Sequence, residues 1–483
     1  MSGRDQPILR ENNPLKAAAL VIPVLLFFLL AGAVIYYKQR MLFIDAPHVF
    51  FRIVNDGHLH IEENRIGSFI TQMVPLLGSK LHLPFRLLLV LYSASFYLFY
   101  LMVVLLLVFI YRNYGLAILF GLYLTLFVSD TYYWPNNEVH QGIAWLMLAF
   151  AINFFTASKN RPLIFTVPLF AASFYLAIWT HPLVMAAAVY LWFFYWIDKT
   201  YWPYTRVVSF VYTGILLVLA WLKYYQGTHS GYDSSKIEVV THFHPAKISA
   251  VFTSPQFHFF IKNCISDYWL FVLLFIAGLI GLIKEKKYLL LLWTIAFATA
   301  YLLLVCITFW GLDSGRFYIE SEYTPLSIIC CAPLVYYVLP KLNKKTAVIA
   351  VILICCIRLG YIYHASIPFT NRVTILDNML NKMKEKNLAK LIIPEPVPGL
   401  DSALVMNWGA PVESIFLSKL KGDVPQRTFI FLSSETLHTV ANVGKDTLLA
   451  CWERRTVKNT NTYYFRVDTA SGYQVMSYSS LIE

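Results

Sequence analysis

The chain has 483 residues, of which 58% are hydrophobic, 17% are aromatic and only 14% are charged. This is more apolar side chain than one soluble core can bury, so the composition excludes an ordinary soluble globular protein and indicates a polytopic membrane protein. The formal net charge is +12.

Eleven apolar segments approach the ~20 residues that a membrane-spanning helix needs. The third and tenth are short enough to be re-entrant, and the first could be a cleaved signal peptide, although we favour a retained signal anchor. The sequence therefore predicts an all-α polytopic membrane bundle of about eleven transmembrane helices within residues 1–363. The segments are centred on residues 19–34, 86–110, 115–128, 142–155, 163–179, 183–197, 207–221, 268–283, 289–310, 326–339 and 347–363.

The charged residues between these segments predict the orientation of the chain. With a cytoplasmic N-terminus, the inner segments carry fourteen basic and four acidic residues, whereas the outer loops carry equal numbers of each. This asymmetry is the positive-inside bias of short cytoplasmic loops, so a nucleic-acid partner is not needed to explain the net charge. We expect a multi-pass protein of a bacterial inner membrane with a periplasmic C-terminal region.

The composition changes after Tyr363. The segment "TNRVTILDNMLNKMKEKNLAKLIIP" has helical spacing followed by a short strand-like run, and "TFIFLS" and "TYYFRVD" are further strand candidates. Residues 364–483 are therefore predicted to form a small extracytoplasmic α/β domain. Its segment "VMNWGAPVESIFLSKLKG" is a candidate to fold back over the polar outer loops.

The first outer loop, residues 38–85, crowds ionisable groups against aromatic residues. Asp45 follows the first span, and Pro47 and Gly57 have the start and stop positions of a short helix. A second amphipathic helix is expected at about residues 66–77. The apolar side of the first helix is expected on the membrane surface and comprises Phe50, Phe51, Ile53 and Val54.

Other outer loops add polar groups on the same side. "SDTYYWPNNEVHQ" supplies Asp130 and Glu138, "WTHP" supplies His181, and "GLDSGRFYIESEYTP" supplies Arg316. Ionisable groups at one end of a helical bundle, with Tyr and Trp interleaved, predict a cavity that opens to the outer aqueous side.

These features together resemble the GT-C superfamily of membrane glycosyltransferases. They are an acid just after the first span, a long first outer loop with interfacial helices, a Tyr/Trp-rich second loop with acids, the "HP" after a later span, and a C-terminal outer domain. Protein O-mannosyltransferases and lipid A aminoarabinose transferases are members. The resemblance covers the layout of residues 17–363. It implies transfer of a sugar from a polyprenyl-phosphate carrier to a lipid, glycan or protein acceptor on the non-cytoplasmic face, usually with inversion.

This implied chemistry needs a carboxylate that accepts the acceptor's proton, and cations that hold the leaving phosphate. Asp45 matches the family's first-loop acid and is the expected general base. Many members carry a second acid beside it, but Ala46 stands here. The second catalytic carboxylate is therefore expected from Asp130 or Glu138, which also offer oxygen ligands if a divalent cation is used.

Each carboxylate has a structural alternative. Asp45 could cap the helix that begins near Pro47, and Asp130 and Glu138 could be solvated loop acids.

Arg65 and Arg316 are the expected phosphate-binding residues, because a guanidinium group can grip two phosphate oxygens at once. Alternatively, Arg65 could pair with Glu62 or Glu63, and Arg316 with Glu320.

His58, His60 and His181 are the expected helpers in substrate binding. The "HLH" pair at residues 58–60 also resembles a metal-binding pair, but a surface pair is the alternative without a further ligand. His181, before Pro182, could instead be a satisfied histidine at a helix junction.

Three alternatives remain open, and one of them is a non-catalytic assembly or receptor protein in which the C-terminal domain does the binding. An O-antigen ligase or polymerase also uses polyprenyl-linked sugars from the outer side, but such ligases rely on a large outer loop between late spans. A lipid or sugar transporter or flippase usually has ionisable groups near the membrane midplane and often two related halves. The nearly uncharged spans and the absence of a visible repeat favour the glycosyltransferase.

Overall fold

Helices make up most of the molecule, and a small sheet region lies at the C-terminal end. The computed structural model describes residues 13–159, 161–311, 315–397, 400, 406–440, 443–450 and 453–483. Residues 1–12 of the predicted membrane domain lie outside the described residues.

The helices up to the midpoint of the chain are α1 (Pro14–Ala19), α2 (Val21–Ile35), α3 (Tyr37–Met41), α4 (Asp45–Asp56), α5 (Phe69–Lys80), α6 (Phe85–Leu105), α7 (Tyr114–Leu126), α8 (Glu138–Ser158), α9 (Leu163–Thr180), α10 (Val184–Asp198), α11 (Arg206–Thr228) and α12 (Asp233–Thr241). They are followed by α13 (Ile248–Val251), α14 (Pro255–Ser266), α15 (Trp269–Lys284), α16 (Tyr288–Thr308), α17 (Arg316–Pro333), α18 (Lys344–His364) and α19 (Ser366–Glu385). Short 3-10 turns include Glu62–Asn64, Ile66–Ser68 and Asp130–Tyr133, and π-helical turns extend α6 and α17.

Within the described residues, eight helices are long and apolar enough to cross a membrane. A bent pair, Pro245–Ser266 and Trp269–Lys284, would raise this number to nine if it forms one span. The number is lower than the predicted eleven because α7 and α10, with 13 and 15 residues, are shorter than the ~20 residues of a spanning helix. The tenth predicted segment, expected to be short, belongs to a 26-residue helix, Arg316–Lys341. The helices are compatible with a multi-pass membrane protein.

Helix α8 defines the two ends of the helical bundle. Helix α8 has 21 residues between Glu138 and Ser158, so its ends are about 30 Å apart. Residues at the far end of α8 share a cavity of about 810 Å³ with Pro14, Arg112 and Lys159. We call this the Lys159 end and the opposite one the Glu138 end.

The described residues of the C-terminal part form two small sheets, one with three strands and one with two. Strand β1 (Lys390–Glu395) lies between β2 (Thr428–Ser433) and β5 (Gln474–Val475), and both pairings are parallel. Parallel neighbours need a crossover, and α20 (Ala410–Leu420) supplies it between β1 and β2. The remaining elements are α21 (Ser434–Val440), the antiparallel pair β3 (Thr447–Ala450) and β4 (Glu453–Thr456), and α22 (Tyr478–Ile482).

The strand predicted for "TYYFRVD" is wrong. Residues 462–468, all of which the structure describes, form no strand, and Val467 makes an isolated bridge to Gln426. Tyr464 and Phe465 are buried instead against the first outer loop, where Phe465 packs on Phe51 with ring centroids 4.8 Å apart. The aromatic residues that suggested a strand, Tyr464 and Phe465, are therefore buried without forming one.

Helix α4 begins at Asp45 and ends before Gly57, close to the predicted bounds, but its apolar side does not lie on a membrane surface. Phe50 and Phe51 are fully buried, and the ring of Phe50 lies 5.4 Å from that of Phe416 on α20. The predicted location was wrong because the C-terminal domain covers this side of the helix. Ion pairs border the same contact, at 2.6 Å between Arg52 and Glu453 and at 2.7 Å between Arg455 and Asp56.

A buried ion pair joins α19 to α20. The Arg372 guanidinium lies 2.8 Å from the Glu413 carboxylate, and the Glu413 side chain is fully buried. Glu413 also accepts a hydrogen bond of 2.9 Å from the backbone N–H of Ile44, the residue before α4. Burial raises the pKa of Glu413, and the Arg372 guanidinium and the Ile44 N–H oppose this rise.

Arg372→Met should lower the stability of the protein by roughly 3–5 kcal/mol, because it leaves the buried Glu413 carboxylate without its cation. The measurement is the thermal unfolding midpoint of the detergent-purified protein. The double variant Arg372→Met/Glu413→Gln removes both charges and keeps an acceptor for Ile44, so it should be closer to the wild type. A single variant with an unchanged midpoint would contradict this account.

Candidate functional site

A polar cavity of about 710 Å³ opens at the Glu138 end of the bundle. Its walls come from the start of α4, the 3-10 turn Glu62–Asn64, the loop before α8, helix α12, the first turns of α17 and the C-terminal segment around Trp408. The predicted site residues that line it are Asp45, Arg65, Glu138 and His181.

Asp45 is the first residue of α4 and is partly exposed to this cavity. Its carboxylate accepts a hydrogen bond of 2.5 Å from the indole N–H of Trp134. The alternative of helix capping does not apply, because the N-cap position is Ile44 and, among the described residues, α4 has no side-chain cap. The carboxylate is therefore directed into the cavity.

The environment of Asp45 disfavours its charged form. Burial raises its pKa to about 7, the carboxylates of Glu138 and Glu62 act in the same direction, and the Trp134 hydrogen bond and Arg65 oppose them. A carboxyl group with this pKa exchanges protons near neutral pH, as a general base must.

Two buried arginines hold the loop that carries Trp134. Arg358, from α18, donates to the carbonyl oxygens of Thr125 at 2.9 Å and Val128 at 3.2 Å. Arg40, from α3, donates to the carbonyl oxygen of Tyr132. Both arginine side chains are fully buried, so each replaces water as the partner of loop carbonyls.

Glu320 supplies the complementary acceptor for the same loop. Its Oε2 accepts from the backbone N–H of Ser129 at 3.1 Å and of Thr131 at 2.9 Å, and its Oε1 accepts from the Tyr268 hydroxyl. Glu320 is 1% exposed. Its spacing from Arg316 in the sequence indicated only an i,i+4 pair, so its role in holding this loop was not predicted.

Arg65 lies between two carboxylates on the cavity wall. Its Nη1 donates to Glu138 at 3.0 Å, its Nη2 donates to Asp233 at 3.1 Å, and the guanidinium lies over the Tyr232 ring at 5.8 Å. Burial alone would lower its pKa, but Glu138 and Asp233 raise it above the ordinary value. Arg65 therefore pairs with residues that are distant in the sequence, instead of with Glu62 or Glu63 as the sequence suggested.

A second cation of the cavity, Lys236, was not predicted from the sequence. Lys236, from α12, lines the cavity with Tyr318 and Glu322, and its ammonium lies 4.6 Å from the centre of the Phe309 ring. Burial lowers the pKa of Lys236, and Glu322 opposes this effect. No local motif marks this lysine, because α12 lies in a long polar loop with several other ionisable residues.

Asp130 and Arg316 do not line the cavity and belong to a neighbouring cluster. Arg316 lies 2.9 Å from Asp267, 3.4 Å from Glu320 and 3.7 Å from Asp130. Burial raises the pKa of Asp130 to about 7, Glu320 adds to this effect, and Arg316 opposes it. The structure therefore separates both residues from Asp45, because the turn Asp130–Tyr133 directs the Asp130 side chain towards α17.

The three predicted histidines have different positions. His181 lines the cavity, and its Nδ1 accepts a hydrogen bond of 3.2 Å from the backbone N–H of Leu183, so it also stabilises the junction between α9 and α10. His58 is exposed and its Nδ1 lies 3.0 Å from the Leu59 carbonyl oxygen. His60 borders a small adjoining cavity and lies 2.9 Å from Glu62.

Comparison with protein-family models, with curated proteins and with solved structures gave no significant match to this chain.

Arg65→Met should destabilise the protein more at pH 8 than at pH 5. Glu138 and Asp233 lose their shared cation, and protonation at low pH relieves the repulsion between the two carboxylates. We expect a loss of roughly 3 kcal/mol at pH 8, which thermal unfolding across this pH range would measure. Arg52→Met, which removes an arginine from the C-terminal contact, is the control for general destabilisation. An equal loss at both pH values would contradict the pairing.

Proposed function

We propose that this protein is a membrane glycosyltransferase of the GT-C type that moves a sugar from a polyprenyl-phosphate donor to a lipid, glycan or protein acceptor on the non-cytoplasmic face. The observation that carries the proposal is the position of Asp45. Its carboxylate lies at the wall of a polar cavity, has a pKa raised to about 7, and shares that cavity with two cations, Arg65 and Lys236.

The lining of the cavity suits a phosphorylated sugar. Aromatic rings of Trp134, Tyr318 and Trp408 border it, and such rings pack against the apolar faces of sugars. Arg65 and Lys236 offer positive charge for a phosphate group. Polar and aromatic side chains therefore combine in one cavity at the end of a helical bundle.

An apolar cavity supports a lipid-linked donor. It has a volume of about 750 Å³ and is lined by α14, α15, α16 and α17, including Trp269, Leu302 and Leu326. Glu322 in the polar cavity and Leu326 in the apolar cavity are one turn apart on α17. An isoprenoid chain beside the apolar lining would have its phosphate near the polar cavity.

The course of the short helices supports the GT-C layout of eleven crossings. Helix α7 starts at Tyr114 in the Lys159-end cavity and leads to Trp134 in the polar cavity. Helix α10 runs in the other direction, from the loop at His181 to Tyr195. Arg112 and Lys159 line the cavity at the Lys159 end, which supports a cytoplasmic location for that end and a periplasmic one for the polar cavity.

The reaction requires one proton transfer and one exchange of bonds at the anomeric carbon. Asp45 would accept the proton of the acceptor hydroxyl as its oxygen attacks the anomeric carbon. The bond from that carbon to the phosphate oxygen would break, and the polyprenyl phosphate would leave with the electron pair. Arg65 and Lys236 would stabilise the negative charge of the leaving phosphate.

Asp45→Asn should lower transfer from a panel of polyprenyl-phosphate sugars by roughly 10²-fold or more, because the amide cannot act as the base. Sugar transfer or release by the purified protein is the measurement. Asp377→Asn is the matched control, since Asp377 pairs with Lys421 in the C-terminal domain and should retain full activity. A folded Asp45→Asn variant with wild-type turnover would exclude Asp45 as the base.

The pH dependence of turnover gives a separate test. Wild-type activity should rise as the pH increases through about 7, because Asp45 must be deprotonated. Trp134→Phe removes the hydrogen bond to the charged carboxylate, so it should move this rise to a higher pH by about one pH unit. Trp408→Phe changes another indole of the cavity wall and is the control. An unchanged pH profile in Trp134→Phe would show that Asp45 does not control the rate.

A further inference from the structure

We propose that His48, His60 and Glu62 bind a divalent transition-metal ion of the zinc type at the edge of the polar cavity. Each residue offers one ligand atom, and the three atoms lie within 4.8 Å of one another. Two imidazoles and one carboxylate form a common zinc ligand set, in which the fourth position stays open to water or substrate.

The separations of the ligand atoms are close to those of an occupied site. Glu62 Oε1 lies 2.9 Å from His60 Nε2 and 3.7 Å from His48 Nε2. Ligands at ~2.0–2.1 Å from a tetrahedral zinc ion lie about 3.4 Å from one another. Both distances from Glu62 are therefore within about 0.5 Å of that value, and small side-chain rotations would complete the geometry.

The main chain around the site is already fixed. The Gln72 side-chain amide accepts from the His60 backbone N–H at 2.9 Å and donates to the His60 carbonyl oxygen at 2.7 Å. His48 projects from α4, which is held by the C-terminal domain, and its neighbour Val49 packs against Leu76 of α5. Ligands held in this way lose little conformational entropy when they bind a metal.

The imidazole of His48 lacks an adequate partner. His48 is 9% exposed, and its buried Nδ1 has no hydrogen-bond partner among the described residues. Its Nε2 lies 3.7 Å from Glu62, which is longer than a hydrogen bond. Coordination of a metal through Nε2 would give this buried imidazole a strong partner on the side that faces Glu62, while Nδ1 would keep its present surroundings.

The open metal position would face the polar cavity. His48 and Glu62 line that cavity, and Asp45 lies three residues before His48 on α4. Residues three apart lie on the same side of a helix, so the metal would be about one turn from the Asp45 carboxylate. An anionic group in the cavity is a suitable fourth ligand.

This site differs from the metal pair considered in the sequence. The "HLH" pattern indicated His58 and His60, but His58 is exposed and contacts the Leu59 carbonyl oxygen. His48, from the preceding helix, takes the place of the second histidine. His58 therefore provides a control: it is a histidine of the same loop that is not a proposed ligand.

The test is a titration of the metal-stripped, purified full-length protein with Zn²⁺, followed by calorimetry, and with Co²⁺, followed by visible absorption. We expect one equivalent of tightly bound metal in the wild type, and a spectrum typical of tetrahedral Co²⁺. His48→Gln, His60→Gln and Glu62→Gln should each weaken Zn²⁺ binding by at least roughly tenfold, whereas His58→Gln should bind as the wild type does.

Folding is checked by the unfolding midpoint of each variant before the titration. If a ligand variant does not fold, the wild type supplies the second measurement, because a bound metal must raise its unfolding midpoint as the Zn²⁺ concentration increases. Wild-type protein that shows neither stoichiometric binding nor this stabilisation would overturn the proposal, and so would an equal loss of affinity in His58→Gln. These readouts do not depend on sugar transfer, so they separate the metal site from the proposed glycosyltransferase activity.

Discussion

The candidate site depends on the satisfaction of backbone polar groups in the loop between α7 and α8. A non-helical segment at the end of an apolar bundle has too little water to hydrogen-bond its N–H and C=O groups, so the protein must supply their partners. Arg358 and Arg40 donate to the loop carbonyls, and Glu320 accepts from the loop N–H groups. With these three charges in place, the loop holds Trp134 against Asp45 and begins α8 at Glu138.

The other side of Asp45 is fixed by the C-terminal domain. Ile44 has a φ of +42°, a backbone conformation that is unfavourable for a β-branched residue and persists only where the surroundings enforce it. Glu413 accepts its N–H, and a Cβ added to Gly409 would lie 2.8 Å from the Ile44 Cα, so only glycine allows this close approach. The bundle and the C-terminal domain thus determine together where the Asp45 carboxylate points.

Local features of the fold could be predicted from the sequence, whereas contacts between distant residues could not. The Pro47 and Gly57 signals located α4, and the apolar segments coincide with helices. Arg65, by contrast, pairs with Asp233, which is 168 residues away, and no local pattern encodes that contact. The same limitation applies to Asp130 and Arg316. Their polar loops lie at one end of the bundle, as predicted, but their side chains contact each other instead of lining the cavity.

The charge balance of the polar cavity links the pKa of Asp45 to the proposed metal. Among the described residues that line it, carboxylates outnumber cations, since Arg65 and Lys236 are accompanied by Asp45, Glu62, Glu63, Glu138 and Glu322. The carboxylates of Glu138 and Glu62 help to raise the pKa of Asp45, and the surplus negative charge would weaken the attraction of Arg65 and Lys236 for a phosphate. A divalent cation held by His48, His60 and Glu62 would offset part of that surplus. The same acids that raise the pKa of Asp45 would thus favour binding of the cation, and the cation would add to the positive charge that Arg65 and Lys236 offer to a phosphate.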